Sequence, residues 1–316
     1  MIAVLAYDGV KLLDVAGPVE VFAEANRLGT DYEVRVVSVD GADVTSSSGV
    51  VLRSTSDVDS ALRGPIDTAV IAGADRLTRQ PIGEELVKAA GDLAAAARRT
   101  CSICTGAFIL AKAGLLENRR ATTHWRAAPL LARSYPDIAV DVDSIFVQDG
   151  DVFTSAGVTA GIDLALALVE RDHGPRLARE VAQLLVVFMQ RPGGQSQFSP
   201  ALDVPRSSAP GLQDLVDAVV ANPAGDHSAE AMSARVAVSP RHLRRMFHDE
   251  LATTPARFVE SVRIDAAKRI LLDGGTVTLA AREAGFGSAE SLRRAFGARV
   301  GVSPSAYRDR FQTTQP

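Results

Sequence analysis

A cysteine placed where a strand turns sharply into a helix can serve as a nucleophile. Residues 100–108, TCSICTGAF, put Cys104 in that setting. Thr105 and Gly106 permit the turn, the geometry of a nucleophile elbow that exposes one side chain. A helix N-terminus there would favour a thiolate through its dipole and free N–H groups. A free cysteine is also commonly plain core, and that alternative stays open. His124, in RATTHW, could orient or deprotonate the thiol, and Asp14, in LLDVAGPVEVF, could orient the histidine. Spacing alone does not bring the three together. A histidine beside a tryptophan is often simply packed, and Asp14 could instead cap its helix. Cys101 completes a C-x-x-C with Cys104, but it falls inside the expected strand, which argues against dithiol chemistry. A low-pKa Cys104 oxidising to a sulfenic acid is a third possibility.

A second constellation is basic and occurs twice. Residues 239–258 read SPRHLRRMFHDELATTPARF, and residues 288–307 read SAESLRRAFGARVGVSPSAY. At one offset Ser239 matches Ser288, Leu243 matches Leu292, and Arg244-Arg245 matches Arg293-Arg294. Phe247 likewise matches Phe296, Pro255 matches Pro304, and Phe258 matches Tyr307. Helical runs at 229–237 and 277–284 precede the two copies. Helix, tight turn and capped helix with a basic outer face make a helix-turn-helix, present here as a pair. The outward positions are Arg241, His242, Arg244 and Arg245 in the first copy, and Glu290, Ser291, Arg293 and Arg294 in the second. These would enter successive major grooves. The plainer alternative is a helical repeat whose arginines only solvate a surface.

The elements that must position these residues follow from periodicity. Strands are expected at 2–7, 32–39, 68–72 and 100–103, with helices at 14–27, 83–98 and 105–116. Residues 144–147 and 152–155 form a hairpin around Asp149-Gly150. Helices at 160–171 and 174–188 follow. Such alternation predicts a mostly parallel, doubly wound sheet covered on both faces. Residues 191–211 are rich in Pro, Gly and Ser and read as a linker between a first domain, 1–190, and a second, 212–316. In the second domain, helices are expected at 212–221 and 255–272. The latter would be roughly 27 Å long, enough to hold two reading heads about one DNA turn apart, roughly 34 Å.

Composition narrows the function classes. The chain has 316 residues, 47% of them hydrophobic and 23% charged, as in ordinary globular proteins. No apolar run approaches the roughly 20 residues of a membrane span, and the start reads as a strand, so neither a membrane segment nor a signal peptide is expected. Two cysteines make no disulfide framework and suit a reducing cytoplasm. The net charge of −4 is unevenly spread. Residues 211–316 hold 14 basic and 12 acidic side chains, against 20 and 26 before them. Residues 235–269 hold 8 basic and 4 acidic ones, a local footprint suited to phosphate.

The segments YDGVKLLDVAGPVEVF, DTAVIAGAD, SICTGAFILAKAGLL, ATTHW and FTSAGVTAGIDLAL resemble the PfpI-type branch of the class I glutamine-amidotransferase-like superfamily. That resemblance implies a flavodoxin-like α/β fold. It also implies a Cys104–His124–Asp14 triad, with backbone donors at Gly73, Ala74 and Thr105 lining an oxyanion or ligand site. Thr105 stands where protease-like members have histidine, as in isocyanide-hydratase-like members. The run GFGS…SLRRAF…GVSPSAYR resembles the AraC/XylS regulators, and the two domains together resemble the GlxA-type regulators. The reading is therefore a sequence-specific DNA-binding transcription regulator, not an enzyme, with Cys104, His124 and Asp14 lining a ligand pocket. The alternative is a cysteine-dependent hydrolase, hydratase or glyoxalase-like lyase with a DNA-docking tail. Expected partners are double-stranded DNA, a small-molecule effector, for which the resemblance suggests an amino acid or a quaternary amine while the residues select neither, a second copy of the chain, and RNA polymerase. No cofactor, metal or membrane partner is expected.

Overall fold

The computed structural model describes residues 1–189, 194–195, 211–251 and 253–311. The chain divides into two compact units, Met1–Gln195 and Ser196–Pro316. The division falls inside the segment read as a linker, most of which lies outside the described residues.

The first unit is built on a seven-stranded sheet. Its strands are β1 (Ile2–Leu5), β2 (Val34–Ser38), β3 (Ser56–Asp57), β4 (Ile66–Ile71), β5 (Ala97–Ile103), β6 (Phe146–Asp149) and β7 (Val152–Ser155). Their spatial order is β6-β7-β5-β4-β1-β2-β3, parallel throughout except for the antiparallel β6–β7 hairpin at one edge. The main helices are α1 (Leu12–Arg27), α2 (Glu84–Ala96), α3 (Gly106–Lys112), α4 (Ala160–His173) and α5 (Pro175–Leu184).

Alternation along the strands divides the core between two faces. Ala3, Leu5, Ala69 and Ile71 point to the side that buries Leu86, Leu93 and Phe108. Ile2, Val4, Val70, Cys101 and Ile103 point to the other, against Phe22 and Val21 of α1 and Leu164 and Leu168 of α4. Burial on both faces is why the central strand β1, IAVL, and the end of β4, AVI, are continuously apolar. The strand ends carry the site: β5 runs straight into Cys104, and β4 runs into Gly73 and Ala74.

The second unit is helical: α6 (Leu212–Ala221), α7 (Ala229–Arg235), α8 (Pro240–Leu251), α9 (Pro255–Leu272), α10 (Val277–Glu283), α11 (Ala289–Val300) and α12 (Pro304–Phe311). The bounds of α6 and α9 coincide with the sequence expectation. The duplication is visible in the packing. Phe247 meets Phe258 with ring centroids 5.6 Å apart, and Phe296 meets Tyr307 at 5.4 Å, the pairs that the repeat aligns. Capping repeats as well. The Ser239 hydroxyl accepts from the His242 N–H at 3.2 Å, and that of Ser288 from the Ser291 N–H at 3.1 Å. Thr254 and Ser303 accept from the N–H of Arg257 and Ala306, at 3.3 and 3.2 Å. Each cap satisfies an orphan donor and fixes where its helix begins.

Candidate functional site

Cys104 adopts φ +57°, an unfavourable conformation for a residue with a side chain, as an elbow requires. The surrounding backbone holds it there. Its N–H donates to the Ser155 carbonyl at 3.0 Å, and its carbonyl accepts from the Thr123 hydroxyl at 2.7 Å. Gly157, at φ +88°, lies against it; a Cβ added to Gly157 would stand 2.1 Å from that of Cys104. A Cβ at Gly73 would stand 2.8 Å from the same atom and 2.8 Å from an Asp14 carboxylate oxygen.

This enclosure sets the chemistry. Cys104 is only 5% exposed. Burial pushes its thiol up to about 12, the nearby Asp14 charge adds to the effect, and hydrogen bonding from Thr105 offsets part of it. The thiolate expected from a helix N-terminus is therefore disfavoured, because desolvation outweighs the dipole. Cys101 lies inside β5, wholly buried, and its thiol is also pushed up to about 12.

Asp14 is fully buried and lies within α1, so it is not that helix's cap. Its two carboxylate oxygens accept from the Gly73 N–H at 3.1 Å and the Val158 N–H at 2.8 Å. It thus ties together the loops after β4 and β7 around the elbow. Burial raises its pKa to about 7, against the pull of those two hydrogen bonds. Ala74 donates its N–H to the Thr105 hydroxyl at 2.9 Å, and that hydroxyl donates back to the Ala74 carbonyl at 2.8 Å. Of the three expected backbone donors, Gly73 and Ala74 are therefore already engaged within the protein. Thr105 is the one beside the thiol.

His124 is half-buried and packs on Trp125, with ring centroids 5.4 Å apart. Its Nδ1 accepts from the Arg126 N–H at 3.3 Å. Burial, and then the Arg126 charge, hold its imidazole below the ordinary range. Among the described residues, no hydrogen bond joins His124 to Cys104 or Asp14. The structure brings Asp14 to the elbow and leaves His124 bonded to its own loop.

Sequence reasoning gave no role to Thr123, Gly157, Val158 or Gln195. The segments TTHW and FTSAGVTAGIDLAL hold the first three, but their contacts span long stretches of chain. Gln195, inside the segment read as linker, is 2% exposed and belongs to the first unit. Its amide donates to the carbonyls of Thr123 and Ser144, each at 3.0 Å. A polar residue in a polar stretch reads as solvated until the carbonyls it satisfies are known.

The basic constellation faces outward. Arg241, His242, Arg244, Arg245, Glu290, Arg293 and Arg294 are exposed and Ser291 is half-buried, while Leu243, Phe247, Leu292 and Phe296 of the same helices are buried. Arg245 donates to His242 Nδ1 at 3.1 Å, and Arg293 to Glu290 at 3.3 Å. Arg241, Arg244 and Arg294 have no intramolecular partner among the described residues. Unpaired guanidinium groups on the outer face of a capped helix suit recognition of phosphate or base edges.

Comparison with known proteins agrees with this division. Residues 1–171 match the DJ-1/PfpI family, and residues 232–310 match a helix-turn-helix domain. The chain is 32% identical to the HTH-type transcriptional regulator CdhR of Pseudomonas aeruginosa over 96% of its length and 90% of that protein's. It is also 32% identical to an isonitrile hydratase of Pseudomonas putida, over 76% of this chain and 95% of the hydratase. A solved structure of an AraC family transcriptional regulator from Pseudomonas putida superposes with a TM-score of 0.52 at 26% identity, covering 58% of this chain and 98% of that one.

Proposed function

The chain belongs to the DJ-1/PfpI family through its first unit and carries a helix-turn-helix domain in its second, and from that premise we propose that it is a transcription regulator that binds DNA through α8 and α11. The observation that carries this reading is the duplicated helix with its buried apolar pair and its exposed arginines, seen in both copies. Similarity to CdhR along nearly the whole chain supports it. Arg241, His242, Arg244 and Arg245 enter one major groove, and Glu290, Ser291, Arg293 and Arg294 enter the next. A base-reading arginine contributes about 1–3 kcal/mol of discrimination. A phosphate-binding one weakens all sequences alike and lowers the salt slope.

In this reading the first unit senses a small metabolite near Cys104 and Asp14, pairs with a second copy, and acts in the cytoplasm. RNA polymerase is the partner at the promoter. Exposed apolar side chains on that unit, Val142, Phe146, Leu184 and Phe188 among them, support self-association. Among the described residues no helix is long and apolar enough to cross a membrane.

A second reading, isonitrile hydration at Cys104, is favoured by the Pseudomonas putida relative. The site's chemistry weighs against it: the thiol is held protonated, His124 is not bonded to it, and two of three backbone donors are occupied. Binding of Arg244→Ala and Arg293→Ala variants to a selected operator tests the first reading, which unchanged affinity would refute. Turnover of an isonitrile by the wild type, abolished in Cys104→Ala, would establish the second.

A further inference from the structure

Among the described residues, the second unit holds two hydrophobic cores that share the helix α9. Phe258, Val259 and Val262 of α9 belong to the core built on α6, α7 and α8. Ile264, Ala266, Ala267 and Leu271 of the same helix belong to the core built on α10, α11 and α12. One shared helix leaves the swing and twist of each half largely to whatever else joins them.

A polar contact supplies that join. Arg263 lies on α9 at the change from one core to the other. Its Nε donates to the Pro223 carbonyl at 2.9 Å, and its Nη2 to the Gly225 carbonyl at 3.1 Å. Both carbonyls lie in the loop between α6 and α7, in the first half. His227 holds the start of that loop, with Nε2 donating to the Asn222 carbonyl at 2.7 Å. The turn of the second half closes onto the same point. Gly285, at φ +82°, brings its backbone so near that an added Cβ would stand 2.6 Å from Ala224 Cα, 2.8 Å from the Pro223 oxygen and 3.0 Å from Arg263 Nε. Beside the contact lies a cleft of about 380 Å³ whose walls include Glu260, Arg263 and Phe286.

We propose that Arg263 and Gly285 are positioning residues that fix the spacing and rotational phase of α8 and α11, so that both helices engage one duplex at a single half-site separation. The proposal rests on the DNA-binding reading above. Neither residue belongs to either hydrophobic core, so the contact can be broken while each half keeps its own packing. A guanidinium is suited to the task because its planar fork serves two carbonyls at once. Linked modules gain affinity only when their geometry allows both to bind together.

The test starts from an operator selected out of random-sequence duplex by the wild-type full chain. Affinities of wild type, Arg263→Gln, Arg263→Lys and Gly285→Ala are then measured on three kinds of duplex: the operator, operators with one or two base pairs added or removed between half-sites, and each half-site alone beside scrambled sequence. The expected result is binding to the intact operator about tenfold or more weaker in Arg263→Gln and Gly285→Ala, with single half-site affinity unchanged. Their dependence on spacing is flattened relative to wild type, and Arg263→Lys falls between. Equal loss on the operator and on single half-sites would show mere destabilisation and overturn the proposal. So would a wild-type spacing dependence in Arg263→Gln and Arg263→Lys, and these two variants decide the matter where Gly285→Ala fails to fold. Failure of the wild type to select any sequence would instead remove the DNA-binding reading itself.

Discussion

Enclosure, more than residue type, decides what Cys104 can do. Burial and the Asp14 charge disfavour the thiolate, so the folded protein should react sluggishly with iodoacetamide through pH 9. In urea the same thiol should titrate near the free value of about 8.5. A labelling midpoint below 7 in the folded state would contradict this and restore the redox or nucleophilic reading. Asp14 makes a separate prediction. Its folded pKa of about 7 lies above its ordinary 3.8, so the folded state holds the proton more tightly than the unfolded one. Its contribution to stability is therefore complete below about pH 4 and is lost as pH rises through 7. Urea unfolding followed by Trp125, the single tryptophan and part of the first unit, should show that decline. Asp14→Asn should flatten it. The elbow was legible, since an apolar strand leads through Cys104 to Thr-Gly and a helix. The occupied donors were not, because Ala74 and Thr105 are 31 positions apart and only folding shows that the hydroxyl takes up the N–H.

The elements that could be read were those long enough to show a period. The bounds of α6 and α9 matched, because each carries apolar residues at helical spacing over ten or more positions. Two-residue strands such as Val44–Thr45 and Arg120–Ala121 were invisible, since a pair of residues defines no alternation. The duplication was read through its unlike residues, and the two aromatic pairs explain why those positions match. Each pair closes one helix-turn-helix onto the helix that follows it. Phe247→Ala and Phe296→Ala should each destabilise the second unit by about 3–5 kcal/mol, since both rings are fully buried. Calorimetry of the variants checks this, and a loss below about 1 kcal/mol would mean that the ring pairs do not close each helix-turn-helix onto the helix that follows it.

At the scale of the whole chain, charge hid part of the function. A net charge of −4 argues against nucleic acid, while the local excess of basic residues in 235–269 argues for it. Screening resolves the conflict: beyond about 10 Å at ordinary ionic strength, distant acidic side chains count for little against arginines touching phosphate. Binding should weaken steeply with salt, and each phosphate-contacting arginine removed should lower the slope of log K against log salt by about 1. The most direct measurement is a footprint of the wild-type chain on its selected operator, beside footprints of Arg244→Ala and Arg293→Ala. Two protected major-groove segments about one helical turn apart, each lost or weakened in the variant of its own helix, are the predicted result. A single protected segment, or protection unaltered in both variants, would contradict the assignment of α8 and α11 as paired reading helices.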